Sequence, residues 1–64
     1  MRRVMIVDVI NRSGVVELES ALIVRSDEER FYLLVNGYQR SVRIEDLDSG
    51  KYRMIAHRTV EVEE

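Results

Sequence analysis

The sequence predicts an all-β domain, a small five-stranded barrel or a strongly bent antiparallel sheet with a one-turn corner before the last strand. Three observations predict it. Runs rich in valine, isoleucine and leucine follow one another with short polar loops between them, and no long helix interrupts the series. The stretch at 31–44, FYLLVNGYQRSVRI, folds back on itself around Asn36-Gly37. Proline is absent throughout, so no run is demoted from strand to loop on that ground.

Residues 1–10 form the first strand, apolar on both faces, with Val4, Ile6 and Ile10 on one and Met5, Val7 and Val9 on the other. Such a strand is either central and buried on both sides or an exposed edge open to association. Asn11 to Gly14 make a loop, and 15–25 alternate, with Val16, Leu18, Leu22 and Val24 expected on one face. Ser26 to Glu29 make a second loop, and 30–35 a third strand. Asn36-Gly37 then gives a tight hairpin, because a two-residue turn of this kind needs positive φ at both central positions. That turn sets Val35 against Tyr38, Leu33 against Arg40 and Phe31 against Val42 on the core side. Symmetric closure of the second loop adds Val24 beside Phe31, Leu22 beside Leu33 and Ser20 beside Val35.

After Ile44 the polar run EDLDSG reads as a single helical turn ending at Gly50, and a last strand runs from Tyr52 to about Val62. A tight hairpin, a one-turn corner and a closing strand, in that order, resemble the layout of Src-homology-3-like and Sm-like small barrels. The resemblance is one of layout, carried by element order rather than by a family motif, and it implies a small barrel.

Length and composition narrow the functional classes. A chain of 64 residues is a single domain with a thin core, and at this size about 60% of the unfolded chain's surface is buried. Cysteine is absent and histidine occurs once, which removes disulfides and the usual zinc ligand sets. Without such staples, self-association becomes an expected route to stability. Residues 1–10 read as mature structure rather than a signal peptide, since Asp8 interrupts the apolar run and no small-residue cleavage site follows. No apolar stretch approaches the roughly 20 residues of a membrane span, so a soluble protein is expected, and lack of cysteine suits the cytoplasm.

Catalytic chemistry finds little support. His57 is the one candidate base, none of Ser13, Ser20, Ser26, Ser41 and Ser49 sits in a nucleophile elbow, and Gly14, Gly37 and Gly50 are isolated at turns. The carboxylates at 27–29 and 45–48 read as solvated loop residues, and Asp46 and Asp48 lack calcium-loop spacing. His57 has the parity of Arg53 and Ile55 and is expected to face solvent. The expectation is therefore no enzyme, no cofactor and no metal.

The feature needing explanation is the hairpin's second face. The expected register lines up Arg25, Arg30 and Arg43 in one row, Ile23, Tyr32 and Ser41 in the next, and Ala21, Leu34 and Gln39 in a third. Like charges opposite one another destabilise a sheet, so the arginines call for anions. Neighbouring acids, Asp27, Glu28, Glu29 and Glu45, supply one source. A protein partner supplies another, including a second copy through its acidic EVEE tail; tyrosine and arginine are favoured interface anchors. Nucleic acid is the third, with bases stacked on Tyr32, but the formal charge of -2 weighs against it. The reading is a non-catalytic protein-binding module using Ile23, Arg25, Arg30, Tyr32, Leu34 and Arg43, possible as a homo-oligomer. A nucleic-acid-binding regulator and a purely structural subunit are the alternatives, and neither a membrane nor a small-molecule substrate is expected.

Overall fold

The computed structural model describes residues 2–62. Five strands, β1 (Arg2–Asn11), β2 (Val16–Ser26), β3 (Arg30–Val35), β4 (Tyr38–Arg43) and β5 (Tyr52–Val62), form one antiparallel sheet, with a single helical turn, α1 (Ile44–Asp48), before β5. The strand order is β4-β3-β2-β1-β5, so β1 is central and β4 and β5 are the edges. The sheet is all-β and open: no ladder joins the two edges. The closed form of the expected barrel is therefore not what these strands make among the described residues.

The β3–β4 hairpin has the expected register. Val35 pairs with Tyr38, Leu33 with Arg40 and Phe31 with Val42. Asn36 and Gly37 adopt φ of 51° and 82°, the left-handed conformation a two-residue turn demands. Because the turn leaves no slack, the alternation on both strands is fixed from it, and Leu33 and Val42 land in the core.

The β2 strand departs from strict alternation, and the expected pairing with β3 is corrected. The loop is shorter than a symmetric closure of Ser26 to Glu29 implies. Ser26 itself pairs with Phe31 and Arg25 with Tyr32, while the Asp27 carboxylate accepts the Glu29 and Arg30 amides to close the turn. A bulge at Val24 then shifts the ladder, so that Ile23 pairs with Leu33 and Leu22 with Leu34. Towards β1 two further irregularities follow: Val7 pairs with Ala21 but Val9 with Leu18, and Ile10 with Val16. Each extra residue flips the side on which the following side chains lie. Consequently Leu18, Ala21 and Ile23 face inward, and Leu22 faces outward.

The inner face holds the core. Val7, Val9, Ala21, Leu33 and Val42 form one buried cluster, with Ala21 and Leu33 fully enclosed, and Leu18, Ile23, Phe31, Val35, Leu47, Tyr52 and Met54 packed around it. Leu47 explains α1: the turn between the two edge strands brings one leucine back over the cluster. Towards the other end of this face the apolar surface opens into a groove of about 510 Å³ that includes Met5, Phe31 and Met54. The outer face is apolar as well. Val4, which pairs with Val60, is only 3% exposed there, while Ile6 and Ile10 on the same side of β1 are half-buried.

Candidate interaction face

The outer face is built by straight readout of the ladders. One row crosses all five strands: Arg58 on β5, Ile6 on β1, Leu22 on β2, Leu34 on β3 and Gln39 on β4, each paired with the next. Its middle is an unbroken aliphatic band, Ile6, Leu22 and Leu34, and Leu34 is 36% exposed. The next row carries Arg25, Tyr32 and Ser41, and beyond it Arg30 faces Arg43.

Five of the six residues expected on this face lie on it: Arg25, Arg30, Tyr32, Leu34 and Arg43. Ile23 does not. The Val24 bulge turns it to the inner side, against Leu33, and it lines the groove near Phe31. Ala21, placed by alternation beside Leu34, is likewise a core residue, and Arg25 stands beside Tyr32 rather than Arg30. Sequence reasoning missed Ile6 and Leu22, which complete the aliphatic band. Leu22 reaches this face only through the bulge at Val24, which no residue type marks in the sequence, and Ile6 lies beside it as its β1 partner.

Arg25, Arg30 and Arg43 each have a contact within the chain. The Arg25 guanidinium lies over the Tyr32 ring, 3.8 Å from its centroid. The Tyr32 hydroxyl donates to Asp27 Oδ2 at 2.9 Å, and Asp27 Oδ1 accepts both the Glu29 and Arg30 amides at 2.8 Å. These amides, foremost that of Glu29, and the tyrosine hold the Asp27 carboxyl below its ordinary pKa. The same hydrogen bond to Asp27 raises the Tyr32 phenol. Arg43 pairs with Glu45 at 2.5 Å, and Arg30 donates to Ser41 at 3.3 Å. Glu45 offsets the charge of Arg43 and so relieves its cross-strand repulsion with Arg30, whose own partner Ser41 is neutral.

A second constellation, around Asp8, joins three strands. The Ser20 amide donates to Asp8 Oδ1 at 2.9 Å, and His57 Nε2 lies 2.6 Å from Asp8 Oδ2. Ser20 occupies a bulge of β2 with φ of 53°, rare for a residue other than glycine, and His57 is the extra residue where the β1–β5 ladder slips between Ile6 and Val7. One carboxylate therefore fastens two bulges on opposite sides of the central strand. His57 is half-exposed, as expected, yet it is held by a partner rather than simply solvated.

The Asp8 pKa is lowered, first by the Ser20 amide and then by the His57 hydrogen bond, against a smaller opposing effect of desolvation. A carboxyl depressed in the folded state adds stability that is present above its unfolded value, near 3.8, and disappears as pH falls through the folded value. Asp27 acts with the same sign. Urea denaturation at a series of pH values should show stability dropping below about pH 4. Asp8→Ala should lower stability at pH 7 and flatten that drop, leaving the share due to Asp27; an unchanged pH profile would show that Asp8 is not so held.

The geometry defines an open, five-stranded all-β domain with an aliphatic band framed by internally paired arginines. The chain matches no protein-family profile, no curated protein and no solved structure. Among the described residues no helix is long and apolar enough to cross a membrane.

Proposed function

We propose that this chain is a non-catalytic binding module that engages another protein through its outer face, working in the cytoplasm. The observation that carries the reading is the band of Ile6, Leu22 and Leu34, which runs across three strands with Leu34 exposed and Ile6 and Leu22 half-buried. With Arg25, Arg30 and Arg43 already provided with partners, what the face offers is apolar area with a rigid polar frame, the composition of an interface centre and rim. Against nucleic acid stands the Tyr32 ring: Arg25 covers the face on which a base would stack, and Asp27 holds the hydroxyl. The small-barrel layout belongs to the same proposal. It is supported by the order β4-β3-β2-β1-β5 and by α1 bridging from one edge strand to the other.

A photo-crosslinking amino acid at the Gln39 position, irradiated in cells and compared with the same probe at Glu17, tests the reading. A protein adduct specific to position 39 is the expected result. Adducts to nucleic acid alone, or none at either position, would overturn it.

A further inference from the structure

We propose that the end of the sheet where the β1–β2 loop meets the turn before β5 carries a binding site for a small organic phosphate monoester. A cleft of about 400 Å³ opens there, the size of a pocket for a small ligand. Its apolar lining comes from Ile10, Leu47 and Tyr52, and Arg12 and Arg53 join it from the two loops and the start of β5. Gly14 and Gly50 complete it. Residues 10–14 and 47–53 lie far apart in sequence, so two glycines that stand isolated along the chain come to share one site.

The charges point to the ligand. Arg12 and Lys51 follow directly on the last pair of the β1–β5 ladder, Asn11 with Tyr52, and Arg53 pairs with Ile10 in the row before it. These three cations meet at one corner of a chain whose formal charge is -2, and among the described residues none of them forms an ion pair. Like charges gathered in this way call for an anion. The neighbouring acids are engaged elsewhere. Glu17 accepts from the Asn11 side-chain amide at 2.9 Å, Asp8 is held by Ser20 and His57, and Asp48 lines a different cleft with Glu28, Glu29 and Glu45. The backbone adds little, because the Gly14 and Gly50 amides already donate to the Asn11 and Leu47 carbonyls at 3.0 and 3.2 Å. The donors left to a ligand are the guanidiniums. Their paired N–H groups match the oxygens of a phosphate, and two of them match the charge of its dianion. The apolar lining with the Tyr52 ring receives the organic part.

Titration of phenyl phosphate into the isotope-labelled full chain at constant ionic strength, followed by amide chemical shifts, tests this. Saturable shifts centred on Arg12, Gly14, Gly50 and Arg53 are expected. Phenyl phosphate should bind about tenfold more tightly than inorganic phosphate, because its ring lies on the apolar lining. Arg12→Gln and Arg53→Gln should each weaken binding about tenfold, the loss of a charge-assisted contact, while Arg40→Gln, on β4, should leave it unchanged. All three positions are exposed, and circular dichroism checks that the variants stay folded. Shifts that grow without saturation, or that persist in both Arg12→Gln and Arg53→Gln, overturn the site. Phenol binding as well as phenyl phosphate would reduce it to an apolar cleft, and benzoate binding as well would remove the preference for phosphate; either result overturns the proposal. Adducts at position 39 do not depend on this cleft, so the interaction face stands or falls separately.

Discussion

Leu33→Ala is expected to cost about 2–5 kcal/mol and to lower Tm by roughly 10–30 °C. Leu33 is fully enclosed, at the point where β2, β3 and β4 converge on the inner cluster, and its pairing with Ile23 and Arg40 fixes it there. A chain of this length has a total stability of about 3–10 kcal/mol, so the loss is comparable to the whole. Leu34, one residue on and on the other side of the sheet, supplies the control: Leu34→Ala removes a side chain that is 36% exposed and should lose much less. Thermal denaturation of both variants, each at a concentration where its association state is known, checks the contrast. Equal losses would mean that the two faces are not distinguished as the ladders place them.

Ala21→Asp should be at least as damaging, with a loss above about 4 kcal/mol and no cooperative transition at 25 °C. Ala21 is fully enclosed opposite Val7, the other four residues of its buried cluster are all aliphatic, and a carboxylate there is cut off from solvent. This substitution separates two descriptions of β2. Under plain alternation Ala21 belongs to the outer face beside Leu34, where an aspartate is tolerated. With the bulge at Ser20 it is core. Circular dichroism and urea titration of the variant decide between them, since a folded, stable Ala21→Asp protein is compatible with the first alone.

That contrast shows how much of the molecule could be read from its residues. The β3–β4 hairpin was legible because Asn36-Gly37 admits essentially one turn geometry, and from it the facing of Leu33, Val42, Tyr32, Leu34 and Arg43 follows by counting. The corner carrying Leu47 and the last strand were legible for similar reasons, a polar run closed by Gly50 followed by renewed apolar alternation. β2 was not legible. Bulges have no strong compositional mark, and the one at Ser20 uses a residue that seldom takes positive φ. What holds it is Asp8, twelve positions earlier, a contact that exists only after β1 and β2 have paired. Ile23 was misplaced and Leu22 overlooked on the candidate face for a similar reason: their side of the sheet is decided by the bulge at Val24, not by their own character.

The bulges also change what a substitution or a deletion means in this chain. Along β2 the inside-outside phase is reset three times, so the strand reads as a message with frame shifts rather than as one repeating pattern. A change of side-chain identity within a frame alters one contact; loss of a bulged residue re-phases everything up to the next bulge. Between Ser20 and Val24 such a shift would exchange Ala21 and Ile23 with Leu22, turning the aliphatic band inward and the core outward. The same three residues can thus serve either face, and which face they serve is set by the bulges at Ser20 and Val24 that bracket them.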